Sequence, residues 1–326
     1  MLRAIGLALV LTAAASAPGP ARAHPYHAPR TSWGAPDLQG VWSNASYTRL
    51  ERPRAFETLV VTPQAARAYE ARLAQHHGVP APPPGADAVG QLDSEFSDAG
   101  DGLARIHGQL RTSWIVDPAD GRLPYTAEAR RRFHIGQPGI PGGFDNPEDR
   151  PGFERCVTST GASPPLLSSN DTNLIQIFEA PGYVVLLSEK YHDARIIPVG
   201  APRRRGAPRT WAGNSVGRWE GATLVVETEG FLQPVIDRWP FLFQSADSKV
   251  SERFTRTSRG EVLYEFAVSD PTIFTQTWRG EMLLKADKGP VYEDACHEGN
   301  YSIVNILAGA RRLDGPLPVR TAAGSR

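Results

Sequence analysis

Residues 250–268, VSERFTRTSRGEVLYEFAV, decide the fold class of this chain. In the second half of the stretch apolar side chains occupy alternate positions, namely Val262, Tyr264, Phe266 and Val268. Alternation with a period of two residues is typical of a β-strand that buries one face. Ser258-Arg-Gly260 separates this run from the preceding one and predicts a hairpin turn. The stretch therefore predicts two antiparallel strands, 250–257 and 261–268.

Similar apolar runs, separated by turn residues, recur through the second half of the chain. The further predicted strands cover residues 173–179, 183–189, 194–199, 222–228, 273–279 and 281–286. A series of this kind is typical of an antiparallel meander. Because closure removes exposed strand edges, we expect a mainly β fold whose meander forms a closed or strongly curled barrel.

The first half of the chain contains short elements among many glycines and prolines. The predicted elements are a strand at 37–43, a helix at 62–76, a strand at 114–116 and a helix at 126–133. After the last strand, apolar residues at helical spacing predict a short terminal helix around residues 303–307.

The chain begins with the three parts of a signal peptide in residues 1–23. Arg3 gives the basic start, an apolar run from Ala4 to Ala14 follows, and Ala21-Arg-Ala23 supplies the small residues at the cleavage site. We expect cleavage before His24 and a periplasmic or extracellular location. No apolar run approaches the ~20 residues that a membrane-spanning helix needs, so we expect no span.

Length and charge limit the organisation and the partners. We expect a flexible lead-in at 24–36, a single β-rich domain at 37–312 that is irregular with short helices before its strand-rich core at 151–312, and a flexible tail at 313–326. Lys plus Arg and Asp plus Glu each number 35. Because there is no net charge to attract nucleic acid, we expect no nucleic-acid partner. The expected partner, a small organic ligand or substrate, follows from the residues of the strand-rich half.

Cys156 and Cys296 are the only cysteines in the sequence. An even count in an exported chain predicts a disulfide, because thiols are oxidised in that compartment. The alternative, a metal site that uses both thiolates, requires pairs of cysteines at short spacing, and the sequence has none. We therefore predict a Cys156–Cys296 disulfide.

Three stretches resemble an uncharacterised family of exported bacterial proteins. They are PDLQGVW at 36–42, GRWEGATLVVE at 217–227 and YEDACHEGNY at 292–301. The resemblance covers most of the mature chain, implies a single domain and carries no activity. Gly40-Val-Trp42 also resembles the start of the lipocalins, in which such a tryptophan closes the floor of the barrel.

His192-Asp193 and His297-Glu298 are the candidate catalytic residues, since no other histidine lies in the strand-rich half beyond residue 151. A histidine that is steadied by a carboxylate can act as an acid or base near neutral pH. Adjacent residues of a strand point to opposite faces, so the useful pairs could instead cross between the two segments. The alternative is that each histidine only forms hydrogen bonds at the barrel rim.

Two further kinds of chemistry receive less support. Two histidines and a carboxylate can hold iron or zinc, but the chain has no His-x-His or His-x-x-x-His spacing, so we expect no cofactor and keep a metal as an alternative. Gly213-Asn-Ser-Val-Gly217 matches the pattern around a nucleophilic serine, here Ser215. A strand rather than a helix follows it, which favours an ordinary hairpin.

Arginines and aromatic residues concentrate in the strand-rich half. The predicted ligand-binding residues are Arg195, Arg218, Trp219, Tyr264, Trp278 and Tyr301. Such a mixture can line a pocket for a flat or sugar-like ligand, with arginines fixing a carboxylate, and it is equally typical of plain strands. Arg203-Arg-Arg205 predicts a solvated loop.

These observations favour an exported protein with an interior or rim pocket for a small organic molecule. In this hypothesis His192 and His297 act as the acid and base of a hydrolase or lyase. The alternatives are a non-catalytic, lipocalin-like ligand-binding protein and a structural envelope protein without a pocket.

Overall fold

The computed structural model describes residues 26–77, 100, 102–132, 143–158, 161, 163–169, 172–232, 235–238, 241–294, 296 and 301–314. This part of the chain is mainly β. Its three α-helices are α1 (Pro63–His77), α2 (Ala127–Arg132) and α3 (Ser302–Leu313). No helix of the described residues is long and apolar enough to cross a membrane.

The strands of this part of the chain lie in both halves of the sequence, and most of them lie in the second half. In chain order they are β1 (Gly40–Ser43), β2 (Val60–Val61), β3 (Arg105–Ile106), β4 (Gln109–Arg111), β5 (Ile115–Asp117), β6 (Leu174–Ala180), β7 (Tyr183–Ser188), β8 (Ala194–Pro198), β9 (Asn214–Glu220), β10 (Thr223–Glu229), β11 (Val235–Arg238), β12 (Phe241–Gln244), β13 (Lys249–Ser258), β14 (Glu261–Ser269) and β15 (Trp278–Asp287).

One large antiparallel sheet holds most of these strands. Its order is β8-β7-β6-β1-β15-β14-β13-β10-β9, and β5 pairs with β15 beside β1. Two small sheets, β11-β12 and β2-β4-β3, complete the described part. The mainly β, antiparallel prediction is confirmed. The strand order runs from β8 to β9 and has two ends, so closure into a barrel stays a prediction.

The opening stretch forms the hairpin that its alternation predicts. In the register of β13 and β14, Val250 lies opposite Val268 and Phe254 lies opposite Tyr264. These side chains point to one face of the sheet and are fully buried. The apolar inner face of this hairpin therefore forms the centre of the hydrophobic core.

One predicted strand was wrong over most of its length, and six strands were not predicted, namely β2, β3, β4, β9, β11 and β12. Only residues 278–279 of the strand predicted at 273–279 lie in a strand, and the residues before them form a turn in which the amides of Ile273 and Phe274 donate to the carbonyl oxygen of Asp270 at 3.1 and 2.7 Å. A single strand, β15, follows it. Strand β9 was missed, because Gly217 interrupts its apolar pattern.

A segment before β6, residues 163–167, lies against the inner face of the sheet. All five residues are buried. The amide of Leu166 donates to the hydroxyl of Tyr264 at 2.9 Å, and Tyr264 is fully buried on β14. The chain itself therefore fills space that an interior ligand pocket would need. We call residues 163–169 the inner segment.

Candidate functional site

The connection between β7 and β8, residues 189–193, has a strained backbone and is called the His192 turn below. Tyr191 has a φ of 58° and His192 a φ of 50°. Positive φ in residues other than glycine costs free energy and persists only where surrounding contacts impose it. Such strain is enriched at functional sites, and contacts from other segments are expected to hold this turn.

Those contacts come from the Cys296 segment, defined here as residues 290–294 and 296. Asp294 accepts a hydrogen bond from the amide of Tyr191 at 3.1 Å and pairs with Lys190 at 3.7 Å. In return, the amide of Tyr292 donates to Glu189 at 3.4 Å. The turn that carries His192 is thus held directly by the segment that ends at Cys296.

The disulfide fixes a third segment at the same place. Cys156 and Cys296 are bonded, with their Cα atoms 5.5 Å apart, so the predicted pairing is confirmed. Three residues before Cys156, the carbonyl of Phe153 accepts a hydrogen bond from the hydroxyl of Tyr191 at 2.8 Å. Tyr191 is therefore bonded to both of the segments that the disulfide joins.

The four predicted catalytic residues fall into two groups. The side chain of His192 is exposed and that of Asp193 is half-buried. Their partners in the hypothesis, His297 and Glu298, lie outside the described residues. The catalytic roles therefore stay predictions, although the sequence neighbour of His297, Cys296, does lie beside the His192 turn.

The interior of the sheet contains a network of charged and polar groups. Arg195 on β8 binds Glu252 on β13 through two hydrogen bonds of 2.8 and 2.9 Å. Tyr264 on β14 donates to the same carboxylate at 2.8 Å and accepts from Leu166 of the inner segment. Three strands and the inner segment are thereby joined around one carboxylate.

This network is sealed from solvent. The side chains of Arg195 and Glu252 are 4% and 0% exposed. Burial and the neighbouring Glu252 carboxylate raise the pKa of the Tyr264 hydroxyl well above its ordinary value. Because the phenol stays protonated, it can donate to the carboxylate at any ordinary pH. Only the Nε of Arg195 lacks a partner among these groups.

Two of the predicted ligand-binding residues, Arg195 and Tyr264, thus meet in the interior, and Trp278 is buried further along the inner face. Trp278 reaches Tyr264 through the ring of Phe266, with ring centroids 5.6 and 5.2 Å apart. The three that remain lie elsewhere. Arg218 is exposed on β9, Trp219 packs at the edge of the core, and Tyr301 is exposed at the start of α3.

Glu252, the carboxylate on which Arg195 and Tyr264 converge, was not predicted as a site residue. A signal for it was present. In the alternating run of β13, Glu252 stands between Val250 and Phe254, at a position where an inward-facing apolar residue is expected. A charged residue at such a position predicts a buried partner of opposite charge.

The two less favoured chemistries gain no support. Ser215 is buried within β9 and its hydroxyl pairs with that of Thr228 at 2.8 Å, so it does not stand on the exposed turn that a serine nucleophile requires. Among the described residues, no group of three or more His, Cys, Asp and Glu side chains could hold a metal ion.

Comparison with known proteins gives no further guidance: no family model, no curated protein and no solved structure matches this chain. The resemblance to an exported bacterial family stays a prediction. The function must therefore be argued from the geometry alone.

Proposed function

We propose that this chain is an exported protein that acts on a small organic molecule as a hydrolase or lyase, with His192 and His297 as acid and base. The observation that carries the proposal is the contact between the His192 turn and the Cys296 segment. Asp294 joins them through Tyr191 and Lys190, and the disulfide holds the second segment in place. Acid–base catalysis needs groups fixed with this kind of rigidity.

Export is part of the proposal. The signal peptide at residues 1–23 would send the chain to the periplasm or the outside of the cell. The Cys156–Cys296 disulfide is compatible with such an oxidising compartment. Without the disulfide, the contacts of the His192 turn with Asp294 and Phe153 would remain, but the covalent link between the two segments that make them would be lost.

We also infer that the large sheet closes between β8 and β9, giving the predicted barrel. Three contacts support closure: Val199 forms a parallel bridge with Gly217, the amide of Gly200 donates to the carbonyl of Gly217 at 2.8 Å, and the side chain of Ile197 lies close by. A Cβ atom at Gly217 would lie only 3.1 Å from Ile197 and 3.3 Å from Val199. The glycine that hid β9 from sequence analysis thus allows the two edges to approach.

A non-catalytic, lipocalin-like binding protein is the second candidate. It is favoured by the convergence of Arg195 and Tyr264 on one carboxylate, since a guanidinium and a phenol are groups that bind a ligand carboxylate. In this alternative a ligand displaces the inner segment and competes with Glu252 for these donors.

The catalytic proposal is tested by screening hydrolysis of aryl esters and glycosides by the exported protein and by a His192→Asn variant. Asparagine tolerates the left-handed backbone of this position. His107 offers a matched control, because it is also exposed and has a φ of 51° but lies on the β3–β4 turn. We expect turnover to fall in His192→Asn and in His297→Ala and to persist in His107→Asn. Equal turnover in all variants would rule out the catalytic role.

A further inference from the structure

An open cavity of about 310 Å³ lies where β9 begins and β10 ends. Its walls are residues 203–207 of the β8–β9 connection, Asn214, and Glu229 with Gly230. Three consecutive arginines, Arg203 to Arg205, face it together with a single carboxylate. These arginines were predicted only as a solvated loop, because the cavity is completed by Asn214, Glu229 and Gly230, which lie further along the chain. We call it the rim cavity.

Arg203 is a fixed part of the wall. Its guanidinium donates to the carbonyls of Asn214 and Glu227, the latter at 2.8 Å, and pairs with the carboxylate of Glu229 at 3.2 Å. The other oxygen of Glu229 lies 3.8 Å from the ammonium of Lys249. The only carboxylate of the cavity is therefore already neutralised by cations of the chain.

Arg204 and Arg205 differ from Arg203 in the contacts of their side chains. Both are exposed, and the side chain of neither makes a hydrogen bond or an ion pair with another described residue. Gly206, with a φ of 67°, turns the backbone directly after them, so that residues on both sides of the turn line the cavity. Two arginines that line the cavity thus have side chains that are engaged by no other described residue.

We propose that the rim cavity binds a small organic molecule that carries a doubly charged oxyanion, of the phosphate monoester class. Guanidinium forks match the oxygen geometry of phosphate, and two of them suit two negative charges. The volume lies at the lower end of the range for small-molecule pockets, which fits a small ligand rather than a polymer.

The rim cavity lies at the same end of the sheet as the His192 turn. Strand β8 leaves the His192 turn and, at Val199, runs parallel to β9 beside Gly217, so both strands begin at the same end of the sheet. The guanidinium of Arg155, next to Cys156, lies 5.4 Å from the ring centroid of Trp211 in the β8–β9 connection. The connection that supplies the arginines of the rim cavity thus also contacts the residue next to Cys156, and the proposed anion site does not depend on catalysis by His192.

Calorimetric titration of the exported protein with phenyl phosphate tests this site. An Arg204→Gln/Arg205→Gln variant should bind about tenfold more weakly or worse, since it loses charge-assisted hydrogen bonds from two exposed side chains. Arg311→Gln/Arg312→Gln is the matched control, because it removes two adjacent, exposed arginines from the end of α3. The control should bind within about twofold of the unmodified protein.

Three outcomes would overturn the proposal: no heat of binding from the unmodified protein, equal weakening in both double variants, or equal affinity for phenyl phosphate and uncharged phenol. Inorganic phosphate serves as a further probe, and binding as tight as that of phenyl phosphate would show that the site takes a free anion rather than an organic one. Binding by His192→Asn should be unchanged, so failure of the anion site and failure of the catalytic proposal can be told apart.

Discussion

Charged side chains are buried and paired in the interior of the large sheet, whereas they are exposed at the end of the sheet that carries the His192 turn. In the interior, Arg195, Glu252 and Tyr264 are buried and satisfy one another almost completely. At the end of the sheet where β8 and β9 begin, the side chains of Arg204 and Arg205 are exposed and bond to no other described residue, and His192 has a strained backbone. Burial therefore separates charges that hold the fold from charges that are available to a ligand.

The largest loss of stability should follow the removal of one partner of the buried Arg195–Glu252 ion pair. In Glu252→Leu, Arg195 keeps a buried charge without a partner, and the free energy of unfolding should fall by about 3–5 kcal/mol. The double variant Arg195→Met/Glu252→Leu should recover most of this loss, because both charges are removed. Denaturant unfolding measures both. If the double variant is no more stable than the single one, the ion pair and its hydrogen bonds stabilise the fold by more than the mutual neutralisation of two buried charges.

Removal of the disulfide should come next and should act at the other region. Cys156→Ser/Cys296→Ser frees a connection with a sequence separation of 140, which should lower the free energy of unfolding by roughly 2–4 kcal/mol. The amide of Tyr191 should then exchange its hydrogen faster, because its acceptor Asp294 lies on the released segment. Unchanged exchange at Tyr191 would mean that the His192 turn does not need the disulfide.

A smaller loss is expected where the interior network meets the inner segment. Tyr264→Phe removes the donor to Glu252 and the acceptor for the amide of Leu166, at a cost of about 1–3 kcal/mol of unfolding free energy. Tyr183→Phe is the matched control, since Tyr183 is half exposed on β7 and should lose almost nothing. Equal losses in the two variants would contradict the anchoring role of Tyr264.

The same contrast explains how much of the molecule could be predicted from its sequence. Strands such as β13 and β14 were predicted nearly to their ends, because alternation is a local signal that burial enforces. Strand β9 was not, because the reason for Gly217 is the approach of Ile197 and Val199 from a distant strand. Its pattern contains no local trace of that contact.

The candidate site was predictable only in part, for the same physical reason. The sequence marks His192 and Cys296 as residue types with chemistry, but their proximity follows from the contacts of Asp294 and Phe153, which no spacing reveals. Likewise, the arginines 203–205 became a candidate site only because Asn214 and Glu229 complete a cavity around them.

The opposite end of the sheet offers an intermediate case between the two regions. Glu179 is half-buried there and accepts a hydrogen bond from the amide of Leu38 at 2.6 Å. Burial raises the pKa of its carboxyl group from 4.5 to about 7. The folded state thus holds this proton more tightly than the unfolded state, so the contribution is fully present below pH 4.5 and is lost as the pH rises to about 7.

Over that pH window the unfolding free energy should fall by about 1–2 kcal/mol, a value reduced for the partial exposure of the side chain. Glu179→Gln keeps an oxygen acceptor for Leu38 but cannot ionise, so its stability should change less with pH. Denaturant unfolding at several pH values compares the two proteins. Parallel pH profiles would show that Glu179 does not titrate in this range.

The smallest expected effect decides whether the strain at His192 serves function. Glycine adopts a positive φ without strain, although it also gains entropy in the unfolded chain, so His192→Gly should raise the unfolding free energy by only about 0.5 kcal/mol. Turnover should be lost in the same variant. A gain in stability together with a loss of activity would mean that the chain keeps an unfavourable backbone for the sake of the imidazole. If His192→Gly is destabilised instead, the imidazole stabilises the fold, as the phenol of Tyr264 does. The two regions would then differ less in their contribution to stability than the burial of their charged groups indicates.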